Sequence, residues 1–347
     1  MVLHGRGFRR TFALVKLMRR CSRSANESTL SLHSLNRIIA PRLHKKLKLL
    51  DEMKDKRLLK DRIAEQLMAI LTVSSLLLVV AMAVGLYLKS VPILQEHSLW
   101  DLLTEGEWRP MADKFGFFPF LMGTLYVSLL ALGIAIPISL LMAIYLTEYA
   151  HTAVKRYVFP LLDILAGLPS VIYGVWGMLV IVPWVADVVA PSLKRDSSGY
   201  TVLATGIVLG VTVIPLLVSL FIEIFSNVGR DYREAAWSLG ATRWQTTKDV
   251  ILRKTAPGVI AAIVLAASRT LGETIAVIMV CGNLAIVPGS LLDACYPIPA
   301  LIANNYGEML SLPLYESALM FAAFILFFVV LVFNLFSRLV LRRMQNN

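Results

Sequence analysis

The sequence predicts an all-α integral membrane protein with six membrane-spanning helices, and three observations carry that expectation. Apolar side chains make up 57% of the 347 residues and charged ones 16%, where soluble domains average about 45–50% and 25%. Several long stretches lack charge almost entirely and are long enough to cross about 30 Å of hydrocarbon. The basic residues, finally, gather on one side of those stretches.

The spans read as Leu67–Leu88, Phe118–Leu146, Tyr157–Val185, Thr201–Ser226, Gly258–Cys281 and Tyr315–Val340. Each is apolar around the whole helix rather than along one stripe, as a lipid-facing helix must be. An even number of crossings puts both termini on one side. Of the 34 Lys and Arg residues, 17 precede the first span, 2 lie in 147–156, 6 in 227–257, and Arg338, Arg342 and Arg343 close the chain. The opposite loops hold only Lys89, Arg109, Lys114, Lys194 and Arg195. The positive-inside rule therefore predicts cytoplasmic termini.

The domain organisation expected is a basic cytoplasmic region, 1–65, followed by one membrane domain, 66–347. Segment 1–65 has a charged helical portion from His44 to Arg62 and a pair, Arg9-Arg10, followed by more basic residues where a cleaved signal would be apolar. The net charge of +11 falls mostly in segments that face anionic headgroups, so no nucleic-acid partner is expected. Loop 90–117 carries Glu96, Asp101, Glu105, Glu107 and Asp113, an acidic external face. Cys21, Cys281 and Cys295 have no metal-ligand spacing and are assigned to cytoplasm, membrane and exterior, so they are expected to remain unpaired. No metal or cofactor site is predicted.

Between the fourth and fifth spans, the cytoplasmic segment 231–253 is punctuated as helix, glycine turn, helix. Asp231 with Glu234, and Thr242 with Gln245, have capping-box spacing, and Gly240 suits the left-handed position after a helix. Ala235 and Ala236 let another surface approach closely, while Glu234 and Arg243 offer orienting charges. The sequence Glu234-Ala235-Ala236, three residues, then Gly240 resembles the EAA loop of bacterial ATP-binding-cassette importer permeases. One departure is Val250-Ile251-Leu252-Arg253, where that family usually has a proline.

The resemblance implies a type I ABC importer transmembrane domain in the bacterial inner membrane, with this loop docked in a groove of a separate ATPase. The chain itself has no G-x-x-x-x-G-K-[ST] phosphate loop, so it is not expected to be an enzyme.

Within the fifth span, Arg269 and Glu273 stand four positions apart, on one face of a continuous helix. Both are costly in hydrocarbon and normally face a cavity or bundle interior. They either neutralise one another or present a guanidinium to an oxyanion, with Glu273 orienting it. Pro169 inside the third span predicts a kink or hinge, and Ser170 begins a second half-helix that can aim donors at an anion.

Three stretches, 117–124, 165–174 and 269–274, resemble the phosphate-specific permeases of the PstC/PstA family, closer to the PstC type; residues 1–65 lie outside the likeness. That resemblance implies import of inorganic phosphate with a PstA-like second permease, two copies of a PstB-like ATPase and a PstS-like periplasmic phosphate-binding protein. The alternative is the same machine carrying another solute, such as sulfate or molybdate.

Overall fold

The computed structural model describes residues 29–307 and 313–345. The Arg9-Arg10 pair, Cys21 and the rest of 1–28 lie outside the described residues, as do the side chains of 44–60. The chain forms two units, Met1–Val79 and Val80–Asn347.

In the first unit, the described backbone belongs to a helix, α1, that runs from Thr29 to Glu96 and thus extends into the second. The basic 29–65 portion and the first apolar span are one uninterrupted helix, with no proline or glycine to stop it between Pro41 and Gly85.

The second unit continues with a short helix α2, Leu99–Thr104, and a hairpin of β1, Trp108–Arg109, and β2, Lys114–Phe115, paired antiparallel as Trp108↔Phe115 and Arg109↔Lys114. This hairpin is a small β addition to the expected helical fold. Four helices follow: the membrane helix α3 (Phe118–Tyr149), the shorter α4 (Thr152–Gly167), and the membrane helices α5 (Ser170–Ser192) and α6 (Val202–Ser226). Next come α7 (Arg230–Ser238), α8 (Arg243–Gly272), two short helices α9 (Ile275–Ile278) and α10 (Ile298–Asn305), and α11 (Pro313–Gln345). Among the described residues, six helices are long and apolar enough to cross a membrane.

Two expected spans are corrected. The third is not a continuous Tyr157–Val185 but α5, because the chain breaks at Leu168-Pro169, both extended (ψ 134° and 140°). A residue before proline is driven out of the helical region, and proline lacks the donor that would carry the ladder on. The fifth ends at Gly272 rather than Cys281: Glu273 is extended (φ −71°, ψ 124°), where Gly272 and the β-branched Thr274 and Ile275 weaken the helix.

The frame of the second unit is the parallel pair α3 and α6. Ala131, Ala135, Ser139 and Ala143 form a stripe at four-residue spacing, each 0% exposed. Side chains that small let the backbones approach, the device that associates helices in lipid, where apolar burial supplies no drive. At Gly210 a β-carbon would lie 3.2 Å from the Ala131 carbonyl oxygen, so only glycine fits without a shift. Ser139 Oγ donates to the Ile214 carbonyl at 3.3 Å across the same seam.

At one end of this frame, Trp108 packs edge-on to Phe117 and Phe120, with ring centres 5.3 and 5.0 Å away. At the other end, Phe221, Phe225 and Ile251 close a second core.

Candidate functional site

The coupling segment is built as the spacing predicts in its second half and differently in its first. Gly240 has φ +80°, its amide donates to the Trp237 carbonyl at 2.9 Å, and the Ala241 amide to the Ala236 carbonyl at 3.1 Å. Those two bonds are the Schellman closure of α7. The Thr242–Gln245 capping box is formed in both directions, at 2.8 and 3.3 Å.

The Asp231–Glu234 box is not formed. Gly229 takes the N-cap position with no side-chain bond, so α7 starts two residues early for that pairing and Asp231 sits in its first turn, complementing the helix dipole.

Glu234, Ala235, Gly240 and Arg243 are exposed, whereas Ala236 is buried at 9% exposure. Only Ala235 of the alanine pair therefore presents a close approach to an outside surface. A groove of about 650 Å³ lies along this exposed side, lined by Tyr232, Ala235, Leu239, Gly240, Gln245 and Val250.

Three contacts fix α7 to the membrane helices. The Arg233 guanidinium pairs with Glu148 at the end of α3, Nη2 to Oε1 at 2.7 Å. The same guanidinium donates to the Phe225 carbonyl in the last turn of α6 at 3.1 Å and to the Val228 carbonyl just beyond that helix at 2.6 Å. Lys254 places its ammonium 3.1 Å from the centre of the Tyr232 ring, tying α7 to α8. A cavity of about 380 Å³ opens beside the ion pair, with Glu148, Arg230, Arg233, Trp237 and Arg243 in its wall.

The expected substrate residues meet where two helices stop. Arg269 stands exposed in the last turn of α8, where a cation also suits the helix dipole. Glu273, half-buried, is one residue past that end, so the two no longer share a helix face. Among the described residues neither side chain forms an ion pair or hydrogen bond within the chain. Mutual neutralisation is thereby set aside.

Pro169 is exposed and caps α5, and Ser170, half-buried, is the first residue of that helix. Across the break, Tyr173 donates its hydroxyl to the Leu165 carbonyl at 2.7 Å, and Arg269 is near enough to act electrostatically on Tyr173. The segment after Glu273 packs on the same turn of α5: a β-carbon on Gly174 would meet Ala276 Cα at 3.2 Å.

Residues 135–346 match the family model described as "Binding-protein-dependent transport system inner membrane component". The chain belongs to that family. This permease is 36% identical over 253 residues to the phosphate transport system permease protein PstC of Xylella fastidiosa, covering 69% of this chain and 78% of that one. It is 32% identical to a probable PstC of Methanocaldococcus jannaschii, covering 75% and 87%. It is also 33% identical to a probable ABC transporter permease, YqgH, of Bacillus subtilis, covering 69% and 78%. Among solved structures, it resembles a bacterial ABC transporter involved in import of the acidic polysaccharide alginate, with TM-score 0.54, 16% identity and coverage of 83% of this chain and 99% of that one. That likeness shows the fold, a multi-pass ABC importer transmembrane domain.

Arg233 and Glu148 were not among the residues singled out from the sequence. A carboxylate in the first turn beyond an apolar span and an arginine beside the Glu-Ala-Ala motif were the available signals, but 85 residues separate them. Only the parallel packing of α3 with α6 brings them together.

Proposed function

We propose that this permease forms half of the pathway by which an ATP-driven importer carries inorganic phosphate across the bacterial inner membrane. The observation that carries the proposal is Arg269, a guanidinium exposed at the end of a membrane helix with no partner among the described residues. The names borne by the relatives support phosphate as the solute.

Phosphate leaving water loses strong hydrogen bonds, and a guanidinium restores several at once because its donors match two oxyanion oxygens in one plane. The first amides of α5 behind Ser170 add donors from the opposite side of the junction. Glu273 accepts from a monoprotonated phosphate, a bond that fully deprotonated sulfate cannot make. This last contrast favours phosphate over sulfate or molybdate.

Coupling runs through α7. A separate PstB-like ATPase, in two copies, receives the exposed side of the 231–253 loop, with Glu234, Ala235, Gly240 and Arg243 in contact. Arg233 and Glu148 pass its movement into α3 and α6, and the break at Pro169 supplies a hinge. A PstA-like second permease completes the pathway, and a PstS-like periplasmic protein delivers phosphate to the face opposite the cytoplasmic termini. The region before the spans, residues 1–65, is a cytoplasmic extension.

The test is uptake of labelled phosphate and labelled sulfate in cells with and without this chain, supplied with phosphate-starvation medium. Loss of phosphate uptake with sulfate uptake retained is expected. Loss of sulfate uptake alone would transfer the machine to the other solute.

A further inference from the structure

Cys281 and Cys295, expected apart in membrane and exterior, are neighbours. The Cys295 amide donates to the Cys281 carbonyl at 2.9 Å, and Gly282 pairs with Cys295 in a parallel bridge. Gly282 turns the chain there with φ +85°, and a β-carbon on it would lie 2.9 Å from Ala294 Cβ. Both cysteines are 0% exposed and both are free thiols. Cys281 Sγ donates to Asn283 Oδ1 at 3.0 Å. Paired strands lie about 4.8 Å apart, inside the roughly 4.4–6.8 Å between α-carbons that a disulfide spans.

The segment between them does structural work on α6. Its carbonyls at Leu291 and Asp293 accept from the Leu203 and Val202 amides at 2.8 and 2.9 Å, two first-turn donors that a helix cannot satisfy itself. The Asp293 carboxylate folds the segment back by accepting from Gly289 and Ser290 amides at 2.9 and 2.8 Å. Around that turn, Leu284, Ile286, Val287 and Leu291 are exposed. A solvated apolar turn of this kind holds its shape poorly unless its base is fixed.

We infer that Cys281 and Cys295 are a redox-modification site, joined in the mature protein by a disulfide that staples the base of this loop. The inference rests on the proposed orientation, which places 282–297 on the oxidising, external side. The oxidant is a protein disulfide donor of that compartment, acting before the loop closes. One cysteine thiolate attacks the donor disulfide, forming a mixed disulfide and releasing one donor thiol. The second cysteine, deprotonated, displaces the other donor thiol. Two thiols of this chain are oxidised, one donor disulfide is reduced to two thiols, and the two protons leave with them. Burial then shields the bond from reductants.

The experiment uses the full chain in native membranes. Cells are quenched in acid, the protein is denatured and treated with light N-ethylmaleimide, then reduced and treated with the heavy isotopologue. The expected result is a light tag on Cys21, heavy tags on Cys281 and Cys295, and a cross-linked peptide containing both in the unreduced digest. Light tags on Cys281 and Cys295 would overturn the disulfide.

A parallel variant separates this from the orientation: Ser98→Cys with Cys21, Cys281 and Cys295 changed to serine, treated with an impermeant maleimide on intact spheroplasts. Labelled Ser98→Cys with light tags on the pair sinks the disulfide alone. Unlabelled Ser98→Cys removes the orientation and the disulfide together.

Discussion

Arg233 reaches back from α7 to Glu148, 2.7 Å away at the end of α3, and donates also to the Phe225 carbonyl in the last turn of α6 and the Val228 carbonyl just beyond it. One side chain therefore joins the ends of two membrane helices to the segment proposed to meet the ATPase. Both partners are shielded, with side chains 15% and 11% exposed, so breaking the pair from one side should cost about 3 kcal/mol.

The first prediction follows from that geometry. Arg233→Gln or Glu148→Gln should leave the assembled complex hydrolysing ATP while phosphate transport falls steeply, because α7 no longer carries α3 and α6 with it. Arg233→Lys should rescue little, since one ammonium cannot serve a carboxylate and two carbonyls in fixed directions. ATP hydrolysed per phosphate transported, measured in proteoliposomes, is the readout; an unchanged ratio in both variants rules the strut out.

Gly240 supplies the second. Nothing lies within 4 Å of where its β-carbon would stand, yet φ is +80°, so the penalty for a side chain is conformational and about 1 kcal/mol. Gly240→Asn, which tolerates that region better, should retain more transport than Gly240→Leu, whose bulk also obstructs docking. Equal transport by the two variants would mean that neither strain nor bulk there matters.

Which of these features could be read from the sequence depends on how far apart their parts lie. Gly240 and the Thr242–Gln245 box are local, their signals within a few residues, and both appear as expected. The ion pair of Arg233 with Glu148 is invisible without the register of α3 on α6. Arg269 and Glu273 show the opposite error: a four-residue spacing implies a shared face only where the helix continues, and it stops at Gly272. The third span was misplaced because its apolar run outlasts the break at Pro169, where hydropathy is blind to backbone dihedrals. Cys281 and Cys295 were separated by assigning one to a helix that had already ended.

Arg269 and Glu273 give the third prediction. Since they are not paired with one another, Arg269→Gln and Glu273→Gln should act independently on assembly, and the double variant should assemble at normal levels. Phosphate uptake should fall roughly tenfold or more with Arg269→Gln, the worth of a charge-assisted contact, with partial recovery by Arg269→Lys. Near-normal uptake by the double variant would leave phosphate recognition to other residues.

The fourth concerns the break between α4 and α5. Tyr173→Phe removes the hydroxyl that holds the Leu165 carbonyl and should cost about 1 kcal/mol. If the break is a hinge, the variant should change the transport rate more than the amount of folded permease, as judged by uptake normalised to membrane content. A loss confined to membrane content would make the contact structural only.

The stripe of Ala131, Ala135, Ser139 and Ala143 against α6 limits how such a machine can move. With backbone seated on backbone, sliding α3 along α6 by a fraction of a turn would drive side chains such as Leu130, already against Gly206, into peptide groups that have nowhere to go. The pair therefore travels as a single beam. A displacement delivered to the end that Arg233 holds should therefore reach the other, with bending expected where the helical ladders are interrupted, at Leu168-Pro169 and after Gly272. Those two interruptions flank Arg269, so the joints of the beam and the proposed anion contact occupy the same place in the membrane.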